Sequence, residues 1–131
     1  MSATNMPFFA PQLNIPNGTH NIDFYIKGLS AVELRKFMNE DGTYHVSELS
    51  IAGNIFHLHE ADVKKNQPDP GTVNGTTVKI GLFVENVDAV IKQAVEAGAE
   101  LIMAARDFDY GYRQGEFKDP FGHLWLIEKK I

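Results

Sequence analysis

From Phe8 to Ile15 apolar and polar positions alternate, as a strand requires: Phe9, Leu13 and Ile15 share one face, Ala10, Gln12 and Asn14 the other. Pro11 within this run predicts an edge strand, or one irregular at that point, because proline has no N–H to give a neighbour. Asn17 to Thr19 then offer capping side chains, and Ile22, Tyr25, Ile26 and Leu29 recur at helical spacing with Gly28 near the stop. Three strand-like runs fill Ala31 to Glu60, broken by turn chemistry at Asn39 to Gly42 and at Ala52 to Asn54. Residues 61–75, rich in Lys, Asp, Pro, Gly and Asn, match neither period and read as a linker.

Beyond the linker the same order returns. Val78, Ile80, Leu82 and Val84 share a strand face, and Asn86 caps a helix carrying Val87, Val90, Ile91, Ala94 and Val95 on one stripe, with Gly98 past its end. Glu100 to Ala105, Tyr112 to Lys118 and His123 to Lys129 read as three further strands. Asp119-Pro120-Phe121-Gly122 suits a type I turn leading into the apolar run Leu124 to Ile127. Gly122 lies 69 positions after Gly53, and the same offset pairs Trp125 with Phe56, Ile127 with Leu58, Val84 with Ile15, Asn86 with Asn17, Ile91 with Ile22, Val95 with Ile26 and Gly111 with Gly42. The chain therefore reads as one α+β domain of two βαβββ modules, residues 7–60 and 76–131, joined by residues 61–75.

Composition narrows the function classes. A net charge of −5, with no Lys/Arg cluster longer than a pair, argues against nucleic acid. No cysteine is present, which removes disulfides, thiolate metal sites and a cysteine nucleophile, and fits a reducing compartment. Met1 to Ala10 has no basic n-region and no apolar run approaches a membrane span, so a cytoplasmic protein is expected. No Ser-His-Asp spacing, glycine-rich phosphate loop or HExxH motif occurs.

The tandem βαβββ order, with Asp119-Pro120-Phe121-Gly122-His123-Leu124-Trp125 near its end, resembles the vicinal oxygen chelate superfamily, the glyoxalase/bleomycin-resistance/extradiol-dioxygenase group. Together with Tyr110-Gly111-Tyr112-Arg113-Gln114-Gly115, the motif looks specifically like the PhnB-like branch. The resemblance implies curved sheets enclosing a cleft, a homodimer, and, in metal-dependent members, four ligands from the first and last strands of each module. Those positions correspond here to Ala10, His57, Lys79 and Leu126, expected to converge in a shared hollow. Ala10 and Leu126 carry no donor atom, and a protonated Lys79 repels a dication, so no cofactor is expected at these positions. A relocated site on His57, His59 and Gln12 would group three donors but abandon the family geometry; two histidines hydrogen-bonded on a cleft wall are the simpler reading.

Lys79 is expected to point into the cleft, either to hold an anionic ligand or to pair with Glu128 or Glu60. Arg113 follows a turn at a hairpin mouth and suits either a ligand carboxylate or an ion pair with Asp107, Asp109 or Glu116. Glu116 is a candidate base or partner of Lys79, and Phe83, Leu124 and Leu126 are candidate apolar lining. Trp125, Phe56, Tyr25 and Phe24 belong to the core, and His123 to backbone satisfaction beside its turn. Three readings remain: a metal-free small-molecule binding protein, a glyoxalase- or dioxygenase-type enzyme using a relocated metal or Lys79/Glu116 acid-base chemistry, and an association protein with a closed cleft.

Overall fold

The computed structural model describes residues 6–131. The N-terminal reading falls partly on residues 1–5, which lie outside it. The first module runs β1 (Gln12–Ile15), α1 (Asp23–Leu29), β2 (Val32–Met38), β3 (Tyr44–Ile51) and β4 (Asn54–Glu60). After the connector come β5 (Lys79–Phe83), α3 (Val87–Glu96), β6 (Glu100–Phe108), β7 (Tyr112–Lys118) and β8 (Leu124–Lys130). The connector is not structureless: Val63–Lys65 form a 3-10 turn and Pro70–Val73 a single helical turn, α2, with Pro70 at its start where no N–H is needed.

Each module is a four-stranded mixed sheet, ordered β1-β4-β3-β2 and β5-β8-β7-β6, with the first and last strands parallel and the rest antiparallel. Gln12 stands opposite His57 in the first sheet, and 69 positions on Gly81 stands opposite Leu126 in the second. The repeat offset thus holds in the register of those strands. It fails by one residue in the third: Glu48 faces His57, but Glu116, 68 positions on, faces Leu126. An Ala52-Gly53 pair, both at positive φ, closes the first hairpin between paired Ile51 and Asn54. The second is longer, with Asp119 accepting the Gly122 N–H and Gly122 at φ 96°.

Local chemistry explains most of the helices and corrects parts of the expectation. Asn86 caps α3, accepting the Ala89 N–H at 3.0 Å, and Gly98 follows at φ 122°. Asn17 is not the equivalent cap of α1. Its amide donates to Ala61 O at 2.8 Å, and Asn21 accepts the Asp23 N–H instead. Gly28 lies inside α1, where an added Cβ would meet the Phe24 ring at 3.0 Å and Ala97 Cβ at 3.1 Å, so its role is close helix packing. Ser30, in the left-handed region, ends the helix. Phe24 is buried and Ile26 exposed, because α1 is covered on two sides: Phe24 contacts Phe117 of β7, while Tyr25 contacts Phe56 of β4. Phe9 and Val78, expected in strands, precede β1 and β5 and lie exposed.

The helix-covered sides of both sheets share one core, in which Tyr25, Phe56, Phe117 and Trp125 interlock edge-on and stacked. Asp119 is 3% exposed at its centre. It accepts the Tyr25 hydroxyl at 2.6 Å, the Trp125 indole N–H at 3.0 Å, and the N–H groups of Phe121 and His123. Burial, then the Asp119 charge and hydrogen bond, push the Tyr25 phenol well above its ordinary pKa. The His123 ring bonds Asn14 O of the other module at 2.8 Å. Among the described residues no helix is long and apolar enough to cross a membrane.

Candidate functional site

Alternation decides which strand side chains leave the core. Phe56 and Leu58 point to the helices, so His57 and His59 take the open side of the first sheet, and pairing sets Gln12 beside His57. In β8 Trp125 and Ile127 are buried in the core, which places Leu124, Leu126 and Glu128 on the open side of the second sheet. Lys79, Gly81 and Phe83 join them from β5, and Gln114 and Glu116 from β7. The expected convergence of Ala10, His57, Lys79 and Leu126 therefore does not occur within one chain. His57 lies on one sheet, Lys79 and Leu126 on the other, each on a side turned away from the shared core, and Ala10 precedes β1.

On the first open face, His57 Nε2 bonds Glu48 Oε2 at 3.0 Å, and Arg35 Nε lies 3.6 Å from the other oxygen of that carboxylate. His59 Nδ1 bonds the Glu60 carbonyl at 2.7 Å. His45 bonds the Glu60 carboxylate at 2.9 Å. Burial acts to raise the Glu60 carboxyl, but hydrogen bonds with His45 and Asn39 outweigh it and hold the group below its ordinary pKa. Both histidines of the candidate set are thus committed to neighbours. Among the described residues no three His, Asp or Glu side chains are grouped to hold a metal ion. With Ala10 and Leu126 lacking donors and Lys79 cationic, the residues at the family positions do not fit a divalent ion.

The second open face is more organised. Lys79 Nζ donates to Glu116 Oε1 at 2.7 Å, so its partner is Glu116 and neither Glu128 nor Glu60. Gln114 donates to Glu128 Oε1 at 2.8 Å and accepts the Tyr110 hydroxyl. Glu116 and Glu128 are each only 7% exposed, while Lys79, Phe83 and Tyr110 remain open to solvent beside half-buried Leu124, Leu126 and Tyr112. A buried polar strip framed by apolar side chains is the usual composition of a small-molecule site.

Gln114, Glu128, Tyr112 and Gly81 belong to this face, although the candidate set omitted them. The signal for Glu128 was present, since it lies two residues beyond Leu126 in a strand. Arg113, by contrast, belongs to the helix side. Its guanidinium makes two 2.9 Å bonds to Asp88 of α3 and one to Asp107, and hydrogen bonds to these two raise its pKa while lowering that of Asp88. It is not part of the open face.

A hollow of about 730 Å³ lies elsewhere, between the outer edges of β1 and β5 and the connector, lined by Gln12, Asn14, Asp69, Thr77, Ile80 and His123 among others. Several of its polar groups bond to one another or to nearby backbone: Asn14 to Pro68 O, His123 to Asn14 O and Thr72 to Asp69. It is a seam between modules.

Residues 10–127 match the model of the Glyoxalase/Bleomycin resistance protein/Dioxygenase superfamily, and the chain belongs to that superfamily. It is 35% identical over 129 residues to an uncharacterized protein of Mycobacterium bovis, spanning 95% of this chain and 84% of that one. An uncharacterized protein of Mycobacterium tuberculosis shows the same identity, with 75% of its length covered. Among solved structures, the fold is similar to TioX from Micromonospora (TM-score 0.69, 20% identity, 95% of this chain and 97% of that one). An Arabidopsis thaliana gene product (0.70, 22%, 93% and 98%) and the fosfomycin resistance protein FosX from Listeria monocytogenes (0.69, 16%, 96% and 94%) are alike in the same way.

Proposed function

We propose that the protein is a metal-free small-molecule binding protein, that its site is the open face of the second sheet, and that a second copy of the chain closes over that face. The observation carrying this reading is the buried strip Lys79–Glu116 and Gln114–Glu128, set among Phe83, Leu124, Leu126 and Tyr112 on a side that the core does not use. The PhnB-like assignment within the superfamily rests on the Tyr110 to Gly115 and Asp119 to Trp125 motifs. An amphipathic ligand suits such a face, its apolar body on the leucines and aromatic rings and its polar groups on the strip.

The test is a thermal-shift screen of amphipathic compounds, with and without divalent ions. Hits independent of metal and changed in affinity by Lys79→Met, which strips Glu116 of its partner, are expected, with a dimer in sedimentation. Near-stoichiometric Zn, Ni, Mn or Fe in protein purified without chelator, or hits untouched by Lys79→Met, would overturn the reading. Acid-base catalysis is the second reading, favoured by the 2.7 Å contact between Lys79 and Glu116. It requires turnover that Glu116→Gln abolishes.

A further inference from the structure

The charge inventory of the second open face does not close on itself. Lys79 is taken by Glu116, and Lys118 lies 4.0 Å from Glu100. The Arg106 guanidinium stands 4.4 Å over the Phe108 ring, and Lys130, two residues beyond Glu128 in β8 and opposite Tyr112, projects to solvent. Glu128 is left. It is nine-tenths buried, and among the described residues no Lys, Arg or His nitrogen lies within 4.0 Å of its carboxylate.

One oxygen of that carboxylate takes the Gln114 amide, which the Tyr110 hydroxyl in turn orients. The other lies across Gly81, where an added Cβ would stand 2.6 Å from it. Glycine at 81 therefore leaves the space that the carboxylate occupies on the open side of the sheet. A buried carboxylate without a counter-ion is costly unless something supplies positive charge or strong donors.

The rings beside it point to the same chemistry. Phe83 stands opposite Glu128 in the strand register, is 54% exposed, and meets Tyr112 edge-on at 5.8 Å. Tyr112 continues to Tyr110 at 5.8 Å, and Tyr110 stacks on Phe108 at 5.1 Å. An aromatic panel flanking an unpaired carboxylate attracts organic cations through the ring quadrupoles as well as the charge.

Resting on the binding reading above, we infer that this face selects a small aromatic cation, an amine, amidine or quaternary ammonium on a flat apolar body, with Glu128 as its counter-ion. Matched probes test this by titration calorimetry on the full chain at low salt: benzyltrimethylammonium, benzyl alcohol and benzenesulfonate. The cation is expected to bind at least about tenfold more tightly than the other two, and Glu128→Gln to weaken it by about tenfold. Gly81→Ala, which displaces the carboxylate, is expected to weaken it as well, while Asp88→Asn on the helix side leaves it unchanged. Folding of each variant is checked by its melting midpoint, so a loss of binding in a folded variant counts for the inference. Preference for the sulfonate, or equal cation affinity in wild type and Glu128→Gln, overturns it. If no probe binds but the screen yields neutral ligands changed in affinity by Lys79→Met, the cation class falls and the binding reading stands; if the screen is silent too, both fall.

Discussion

Removing the Asp119 carboxylate should do more damage than removing any surface charge, and the size follows from its four donors. In Asp119→Ala the Tyr25 hydroxyl and the Trp125 indole N–H, both on fully buried rings, lose their acceptor. Each orphaned buried donor costs about 1–3 kcal/mol, so the pair alone amounts to roughly 4 kcal/mol. Set against a total stability of about 5–15 kcal/mol, that is a large fraction. With an unfolding entropy of about 2.1 cal/mol/K per residue, a chain of this length should melt roughly 15 °C lower. Equilibrium urea unfolding measures it directly, with Trp125, the single tryptophan, as the fluorescent reporter. Tyr25→Phe removes one donor and leaves three, so it should cost less, and the double variant should reveal a coupling of about 1–3 kcal/mol. An Asp119→Ala protein within about 1 kcal/mol of wild type, or zero coupling to Tyr25, would refute the idea that this carboxylate ties the modules together.

Other outcomes follow from the same geometry. Tyr25 has a raised pKa in the folded state, so its stabilising contribution is intact below about pH 10 and declines as pH rises beyond the unfolded value, by up to about 1.4 kcal/mol per unit; Tyr25→Phe should flatten that decline in alkaline unfolding curves. Gly122→Ala combines positive φ with a Cβ only 2.8 Å from that of Pro70, whereas Gly42→Ala has positive φ and open space. Urea midpoints should therefore show a loss of about 1–3 kcal/mol for the first and a clearly smaller one for the second. Asn86→Ala should cost about 1 kcal/mol through the lost cap of α3, read from the same curves. Arg113→Met should leave ligand binding intact in calorimetry, because its guanidinium is engaged on the helix side.

The elements were legible because each obeys a local rule. Turn glycines, the Asn86 cap and period-two strands all announced themselves, and one offset joined the halves. What escaped depends on non-local geometry. An ungapped offset cannot express the one-residue slip that sets Glu116, rather than its neighbour Phe117, in the place of Glu48. The spacing on α1 puts Ile26 on the apolar stripe, but a helix caught between two sheets buries Phe24 and Tyr25, both expected in the core, and leaves Ile26 exposed. Arg113 stood one residue from the face assigned to it, and in a strand one residue is the whole difference between sides. The separation of His57 from Lys79 was beyond local reading, since periodicity fixes the face of each sheet but not how two sheets are mounted together.

The shared core has a consequence for the ancestry written in the repeat. A solitary half would leave Tyr25, Phe56 or Trp125 uncovered, so a primordial single module could persist only by embracing its twin. One chain carrying both halves needs only matching topology, and each half is free to differ from the other. Asp119, whose place in the first module is taken by Ile51, is such a difference. In this light residues 61–75 act as a tether: severing them should leave the two fragments still clasped.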